Sequence, residues 1–224
     1  MNPNATITDV QFQDFLRKVR DLVEGPYTEW QKEIEVTNKF PEKFYQSNID
    51  NDIYRYSLPV EYGGWGLNEK EILQVQEEFS RGPSGMRMHM HYASDLNWRI
   101  LDDFGQPEVK EKYMPLFQDK TIFTNFALTE KTGGTGADLH STAVWDEEKG
   151  KWITDCSQFS YVICVTDPDK EGDERLSAFF VDMSLPGFEL VPMPHMMGCR
   201  GSGHTGLKFT NVEIDPKFML GERG

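Results

Sequence analysis

Apolar residues recur at helical spacing over the first half of the chain. Phe12, Phe15, Leu16, Val19, Leu22 and Val23 fall on one face of a helix, and the Glu-Gly-Pro triplet at 24–26 closes it. A second helix is predicted from near Pro41, with Phe40, Phe44 and Ile49 available to the core. Ile72, Val75 and Phe79 mark a third, and Ala93, Leu96, Ile100 and Phe104 a fourth that stops at Gly105. Pro107 sits where a first-turn proline belongs and opens the segment "PEVKEKYMPLF". Residues 1–119 therefore read as an all-α domain.

The pattern changes at "DKTIFTNFALTE". Short β-rich runs follow, "YVICV", "SAFFVDM", "GFELVPM" and "GLKFTNVEI", separated by "TDPDKEGDE", "LPG" and "GCRGSGH". These intervals suit a β-sandwich or barrel. The predicted class is α+β and multidomain: an all-α domain over 1–119, then an antiparallel β-sandwich or barrel over 120–224. Helices first and strands afterwards, without βαβ alternation, argue against a doubly wound nucleotide fold.

Charge narrows the partners. The 224 residues carry 37 acidic against 23 basic side chains, a formal charge of −14, so the electrostatic term that dominates non-specific nucleic-acid binding is repulsive. No nucleic-acid role is expected, and an anionic ligand would need local backbone donors and a few placed cations. Cys156, Cys164 and Cys199 form no CxxC pair, which suits a reducing, cytoplasmic compartment better than a disulfide framework or zinc site. The N-terminal stretch lacks a basic n-region and an apolar h-region, and no apolar run approaches bilayer-spanning length, so no membrane association is expected.

Few local motifs decide anything alone. "GGTGAD" at 133–138 lacks the strand and following helix of a dinucleotide fingerprint and is not a P-loop. It reads either as a strand connection or as a loop whose backbone N–H groups approach a ligand oxygen, with Thr129, Thr132 and Thr135 adding hydroxyls. "HMHY" at 89–92 puts His89 and His91 on different faces of a helix, as ordinary partly exposed histidines rather than metal ligands. Trp145 and Trp152 read as core aromatics, and the charged run 167–175 as a solvated hairpin loop.

Four separated segments, in order, resemble the acyl-CoA dehydrogenase family of flavoproteins. These are "SLPVEYGGWGLNEKEILQVQEEFSR" at 57–81, "FGQPEVKEKYMPLFQDKTIFTNFALTE" at 104–130, "GKWITD" at 150–155 and "MMGCRGSGHTGLKFTNVEIDPKFMLGERG" at 196–224. The resemblance implies an α-helical N-terminal domain and a β middle domain, with FAD and an acyl-CoA thioester bound between the middle domain and a C-terminal four-helix domain. By position, Phe126, Leu128 and Thr129 would face the flavin ring, Trp152, Ile153 and Thr154 would cover its other polar edge, and Thr135 would touch the CoA moiety. The implied reaction is α,β-dehydrogenation of an acyl-CoA, or the reverse reduction of an enoyl-CoA, with electron-transfer flavoprotein or a similar acceptor as partner. Competing readings are a non-catalytic interaction module or subunit, and a flavin oxidase or monooxygenase on the same fold.

Three departures shape these expectations. Lys131 replaces the family's Pro, Thr135 its Ser, and the loop Asp is replaced by Gly136 or displaced to Asp138. The segment between Ala143 and Trp152 is shorter than usual, which would permit a register shift. The chain stops at Gly224, where the family's helical bundle and its catalytic Glu would begin, so no catalytic residue is assigned here. Self-association, or a complex with a chain supplying that bundle, is expected.

Overall fold

The computed structural model describes residues 4–119, 122, 124–127, 140–155, 161–192, 197–201 and 206–224, with backbone alone at 95 and 152–155. Contacts divide the chain into two compact units. The first takes in Met1–Arg99, Tyr113–Phe123 and Pro194–His204, and the second Ile100–Lys112, Thr124–Met193 and Thr205–Gly224.

The first unit is helical. Helix α1 (Asp9–Leu22) starts at a capping box in which Thr8 Oγ1 accepts from Gln11 N and Gln11 Oε1 accepts from Thr8 N at 2.8 Å. The Glu-Gly-Pro triplet does not end the helical path. It forms a π-helical turn (Val23–Tyr27), with Gly25 at φ −96°, ψ −108°, and the chain re-enters helix as α2 (Thr28–Thr37). Helix α2 stops at Asn38, which adopts the left-handed conformation at φ 53° and donates its N–H to Ile34 O.

Helix α3 (Glu42–Asp50) buries Phe44, but Ile49 is exposed rather than in the core. Helix α4 (Glu69–Phe79) opens on a second capping box, Asn68 with Glu71, and buries Ile72, Val75 and Phe79. Helix α5 (Ser84–His91) runs through a π-helical turn (Tyr92–Leu96) into α6 (Asn97–Phe104). Gly105 ends α6 as expected, its N–H donating to Leu101 O, although Phe104 is exposed. Phe12, Phe15, Val19, Phe44, Tyr56, Ile72, Val75 and Phe79 belong to one buried cluster, which is the core of this unit.

The second unit contains the strands, together with the end of α6 and most of α7 (Pro107–Tyr113). Its strands are β1 (Phe126–Ala127), β2 (Thr142–Asp146), β3 (Lys151–Asp155), β4 (Tyr161–Val165), β5 (Leu176–Phe180), β6 (Phe188–Val191), β7 (Gly206–Phe209), β8 (Val212–Ile214) and β9 (Met219–Leu220). The larger sheet runs β8-β3-β2-β4-β5-β9, with β1 paired to β4, and β6 pairs with β7 separately. The sheet is mixed rather than antiparallel throughout: β1 and β2 both run parallel to β4, at Phe126↔Tyr161 and Thr142↔Val165. The run "GLKFTNVEI" is not one strand but two, because Asn211 at φ 52° turns the chain between β7 and β8.

Side chains alternate across the larger sheet. Ala143, Val162, Cys164, Phe179, Val212 and Ile214 face one core, joined by Leu207 and Phe209 and flanked by the partly buried Trp145. Tyr161 and Phe180 lie on the opposite face, their ring centroids 5.7 Å apart.

Candidate functional site

Two strands of the mixed sheet carry the described part of the expected flavin site. Phe126 sits on β1, a strand of two residues whose Cα partners are Tyr161 and Val162. Pairing Phe126 with Tyr161 places it on the face away from the core, where its side chain is 37% exposed. Leu128, Thr129 and Thr135 fall outside the described residues.

The other strand is β3. It pairs with β2 in unbroken register from Thr142↔Asp155 to Asp146↔Lys151, so the short connection closes without a bulge. Asp146 organises the turn: its Oδ1 accepts from Glu148 N and Lys149 N, its carbonyl accepts from Gly150 N at 2.9 Å, and Gly150 takes φ 61°. Position 152 pairs with Trp145 and Ile214, and position 154 with Ala143 and Val212, all strand positions that feed the core. Position 153 pairs with Val144, which is 62% exposed, and with Glu213, on the face that also carries Phe126. The pairing thus sets Phe126 and position 153 on one face, and positions 152 and 154 in register with the other.

The cations beside β3 are already engaged. Glu213 holds Lys149 at 2.6 Å and Lys151 at 3.4 Å, and those bonds keep its carboxyl below the usual carboxylate range and raise Lys149. Among the described residues, a partly exposed ring rather than a free cation is what this part of the sheet offers a ligand.

Tyr161, the register partner of Phe126, is a buried phenol that sequence reasoning did not single out. It is buried beside Phe126, and burial pushes its phenol well above the ordinary value, against the opposing effect of hydrogen bonds to the Thr124 side chain and the Leu101 backbone. In the sequence it is only the first letter of an apolar run, and nothing local marks its hydroxyl.

The histidine pair also differs from expectation. His89 is buried, ringed by Phe40, Phe44, Tyr45 and Tyr54 at centroid distances of 5.4, 5.3, 5.6 and 6.0 Å. Its Nε2 meets the Tyr54 hydroxyl at 3.1 Å, which takes a bond from Asn48 Nδ2, and Asn48 Oδ1 takes one from Tyr27. This is a structural network in the helical unit. Among the described residues no cluster of three or more His, Cys, Asp or Glu could hold a metal, and no helix is long and apolar enough to cross a membrane.

Comparison with known proteins places this architecture. The profile of the acyl-CoA dehydrogenase N-terminal domain matches residues 10–120. Cyclohex-1-ene-1-carbonyl-CoA dehydrogenase of Syntrophus aciditrophicus is 31% identical over 204 residues, 86% of this chain and 48% of that protein. The chain belongs to the acyl-CoA dehydrogenase family. Among solved acyl-CoA dehydrogenase structures, butyryl-CoA dehydrogenase from Megasphaera elsdenii superposes with a TM-score of 0.85 at 24% identity, over 98% of this chain and 60% of that one. Acyl-CoA dehydrogenase from Bacillus anthracis, solved in complex with FAD, superposes at 0.82 with 20% identity, over 96% and 38% of the two chains. These two likenesses establish the helical-then-sheet fold. The chain spans about half the length of the curated acyl-CoA dehydrogenase relatives it matches, 48% and 59% of the first two.

Proposed function

We propose that this chain is the FAD-binding portion of an acyl-CoA dehydrogenase-like oxidoreductase, acting on an acyl-CoA thioester and passing electrons to an electron-transfer flavoprotein or similar acceptor. The observation that carries the proposal is Phe126: a large apolar ring, partly open to solvent, on a strand whose neighbours in β4 are buried. The donor chemistry suits a flavin, since an isoalloxazine has a flat apolar body for ring packing and a polar edge for N–H and hydroxyl donors.

Bound FAD would supply the two-electron acceptor. The chain's own residues would bind and orient it: Phe126 and Leu128 would pack on the ring, Thr129 would offer a hydroxyl to its edge and Ile153, at a strand position on the face of Phe126, would shield it, while Trp152 and Thr154, expected at its other polar edge, fall at strand positions in register with the opposite face. Thr135 would contact the CoA moiety. Removal of an acyl α-proton needs a base on the face opposite the flavin, and geometry selects no such group among the described acids. Residues 1–224 by themselves are therefore not expected to turn over substrate. The division into a helical domain over 1–119 and a β domain over 120–224 is part of the same proposal.

The test is direct. The purified chain is incubated with FAD, freed of excess, and scanned for visible flavin absorption; retained flavin supports the reading. A chain that binds no flavin but forms a stable complex with another protein would instead identify an interaction module.

A further inference from the structure

Buried positions from α5 into α6 repeat every four residues, not at the roughly 3.6 of an α-helix. Met86, Met90, Ser94 and Trp98 are buried, and so is the residue before each of them. A regular α-helix turns about 100° per residue, so over the 12 residues from Met86 to Trp98 it would carry that stripe about 120° away from the core. One extra residue taken up in a π turn removes about 100° of the drift. The π-helical turn Tyr92–Leu96, where Asn97 N–H reaches back to Tyr92 O, therefore keeps the buried faces of α5 and α6 aligned.

What pins the turn comes from α4. Gln76 Nε2 donates to Ser94 Oγ at 2.6 Å and to Tyr56 Oη at 2.8 Å, and reaches Met90 O at 3.3 Å. Ser94 Oγ also donates to Met90 O, and Ser94 O accepts from Trp98 Nε1 at 3.2 Å. Gln76 Oε1, by contrast, is buried and has no hydrogen-bond partner among the described residues. Turning the amide over would set Oε1 against the Met90 carbonyl, acceptor to acceptor. A buried acceptor left unpaired is unfavourable, so this side chain is placed for what its N–H groups hold and not for its own saturation.

We propose that Gln76 is the latch of a register switch in the helical unit: its amide holds the extra residue in the π turn and so sets the rotation of α5 about its own axis. With the latch removed, the extra residue is absorbed into α-helix, which turns α5 by about 100° and carries Met86 and Met90 out of the core. The switch is independent of the flavin reading.

The test uses the full chain with isotopically labelled methionine methyls and a soluble paramagnetic agent, read by NMR. In wild type the Met86 and Met90 signals should be shielded from the agent. Gln76→Leu keeps the bulk and removes the donors; both signals should then broaden, and amide exchange over residues 92–97 should quicken about tenfold. Deleting Tyr92 takes the extra residue out, so a Gln76→Leu chain without Tyr92 should regain shielded methionines and slow exchange. A glutamine that only adds stability predicts the opposite, since the two changes would then damage the fold additively. Should Gln76→Leu fail to fold, deletion of Tyr92 from the wild-type chain decides: a folded product with Met86 and Met90 still shielded supports the switch. Unfolding of that deletion, strictly additive damage, or unchanged signals and exchange in Gln76→Leu would overturn it.

Discussion

Arg20 on α1 grips Glu78 on α4 at two points, Nε to Oε2 at 2.8 Å and Nη2 to Oε1 at 2.5 Å, and Arg81 Nε donates to the same carboxylate at 2.8 Å. The Arg20 hydrogen bond, with Arg81 assisting, outweighs burial and holds the Glu78 carboxyl below its ordinary value of 4.5. A carboxylate depressed in the folded state adds stability above its unfolded pKa and loses it as pH falls through the folded value. Glu78→Gln should therefore lower the melting temperature at neutral pH by roughly 2–4 °C, a modest amount because the arginines are partly exposed. The difference from wild type should shrink below about pH 4 and in high salt. Thermal melts across pH and ionic strength read both effects.

Gly85 lies inside α5, where alanine would ordinarily gain about 1 kcal/mol. Here a Cβ would stand 1.9 Å from the Arg200 carbonyl oxygen, a backbone atom that cannot rotate away. Its segment is pinned by Gly201 N donating to Asn38 Oδ1 at 3.2 Å. Overpacking costs about 1–3 kcal/mol, so Gly85→Ala should be net destabilising. The denaturation midpoint should fall, and a rise would contradict the close approach.

Alkaline stability should be set largely by buried phenols. Burial pushes Tyr27 up to about 12 and Tyr54 higher still. Both are protonated in the fold at a pH where the unfolded chain, with an ordinary value near 10, has released its protons. Their stabilisation is complete below pH 10 and declines as pH rises toward the folded values, by about 1.4 kcal/mol per pH unit for each phenol. Tyr27→Phe should flatten the alkaline limb of the stability curve by one proton's slope, read as denaturation midpoints from pH 9 to 12.

Asn211 holds φ at 52° between β7 and β8. Asn211→Gly should be close to neutral, whereas Asn211→Val should cost about 1–2 kcal/mol, since a β-branched residue is strained in the left-handed region. Comparing the two denaturation midpoints separates backbone strain from any side-chain contact.

Phe126 is open enough that truncation should barely affect folding. Phe126→Ala is expected to shift the melting temperature by no more than ~2 °C yet weaken FAD binding about tenfold. A titration showing unchanged affinity would remove Phe126 from the site.

The helices were legible where apolar spacing and caps agreed. In α4, Ile72, Val75 and Phe79 share a stripe behind the Asn68–Glu71 box, and the structure follows both signals. Helix α2 was not legible, because Ile34 is its one buried residue and Val36 points to solvent, leaving no stripe to detect beyond a Gly-Pro pair that looks like a stop. His89 misled for the opposite reason: α5 is buried at Gly85, Met86, His89 and Met90, so no polar face distinguishes inside from outside. The parallel β1–β4 pairing joins residues far apart in sequence, a tertiary choice that period-2 patterning does not encode. Phe126 and the 152–154 stretch were reached through motif order, while the place of Tyr161 beside Phe126 follows only from the β1–β4 pairing.

The order β8-β3-β2-β4-β5-β9 puts strands from the last fifteen or so residues, 212–220, at both ends of the larger sheet. As the polypeptide emerges from the ribosome, β2 to β5 can pair long before either flank is covered. For that interval both margins of a young sheet expose open backbone donors and acceptors, the condition under which strands recruit a neighbour's chain instead of their own. By covering both margins, residues 212–220 thus also guard the sheet against misassembly during synthesis.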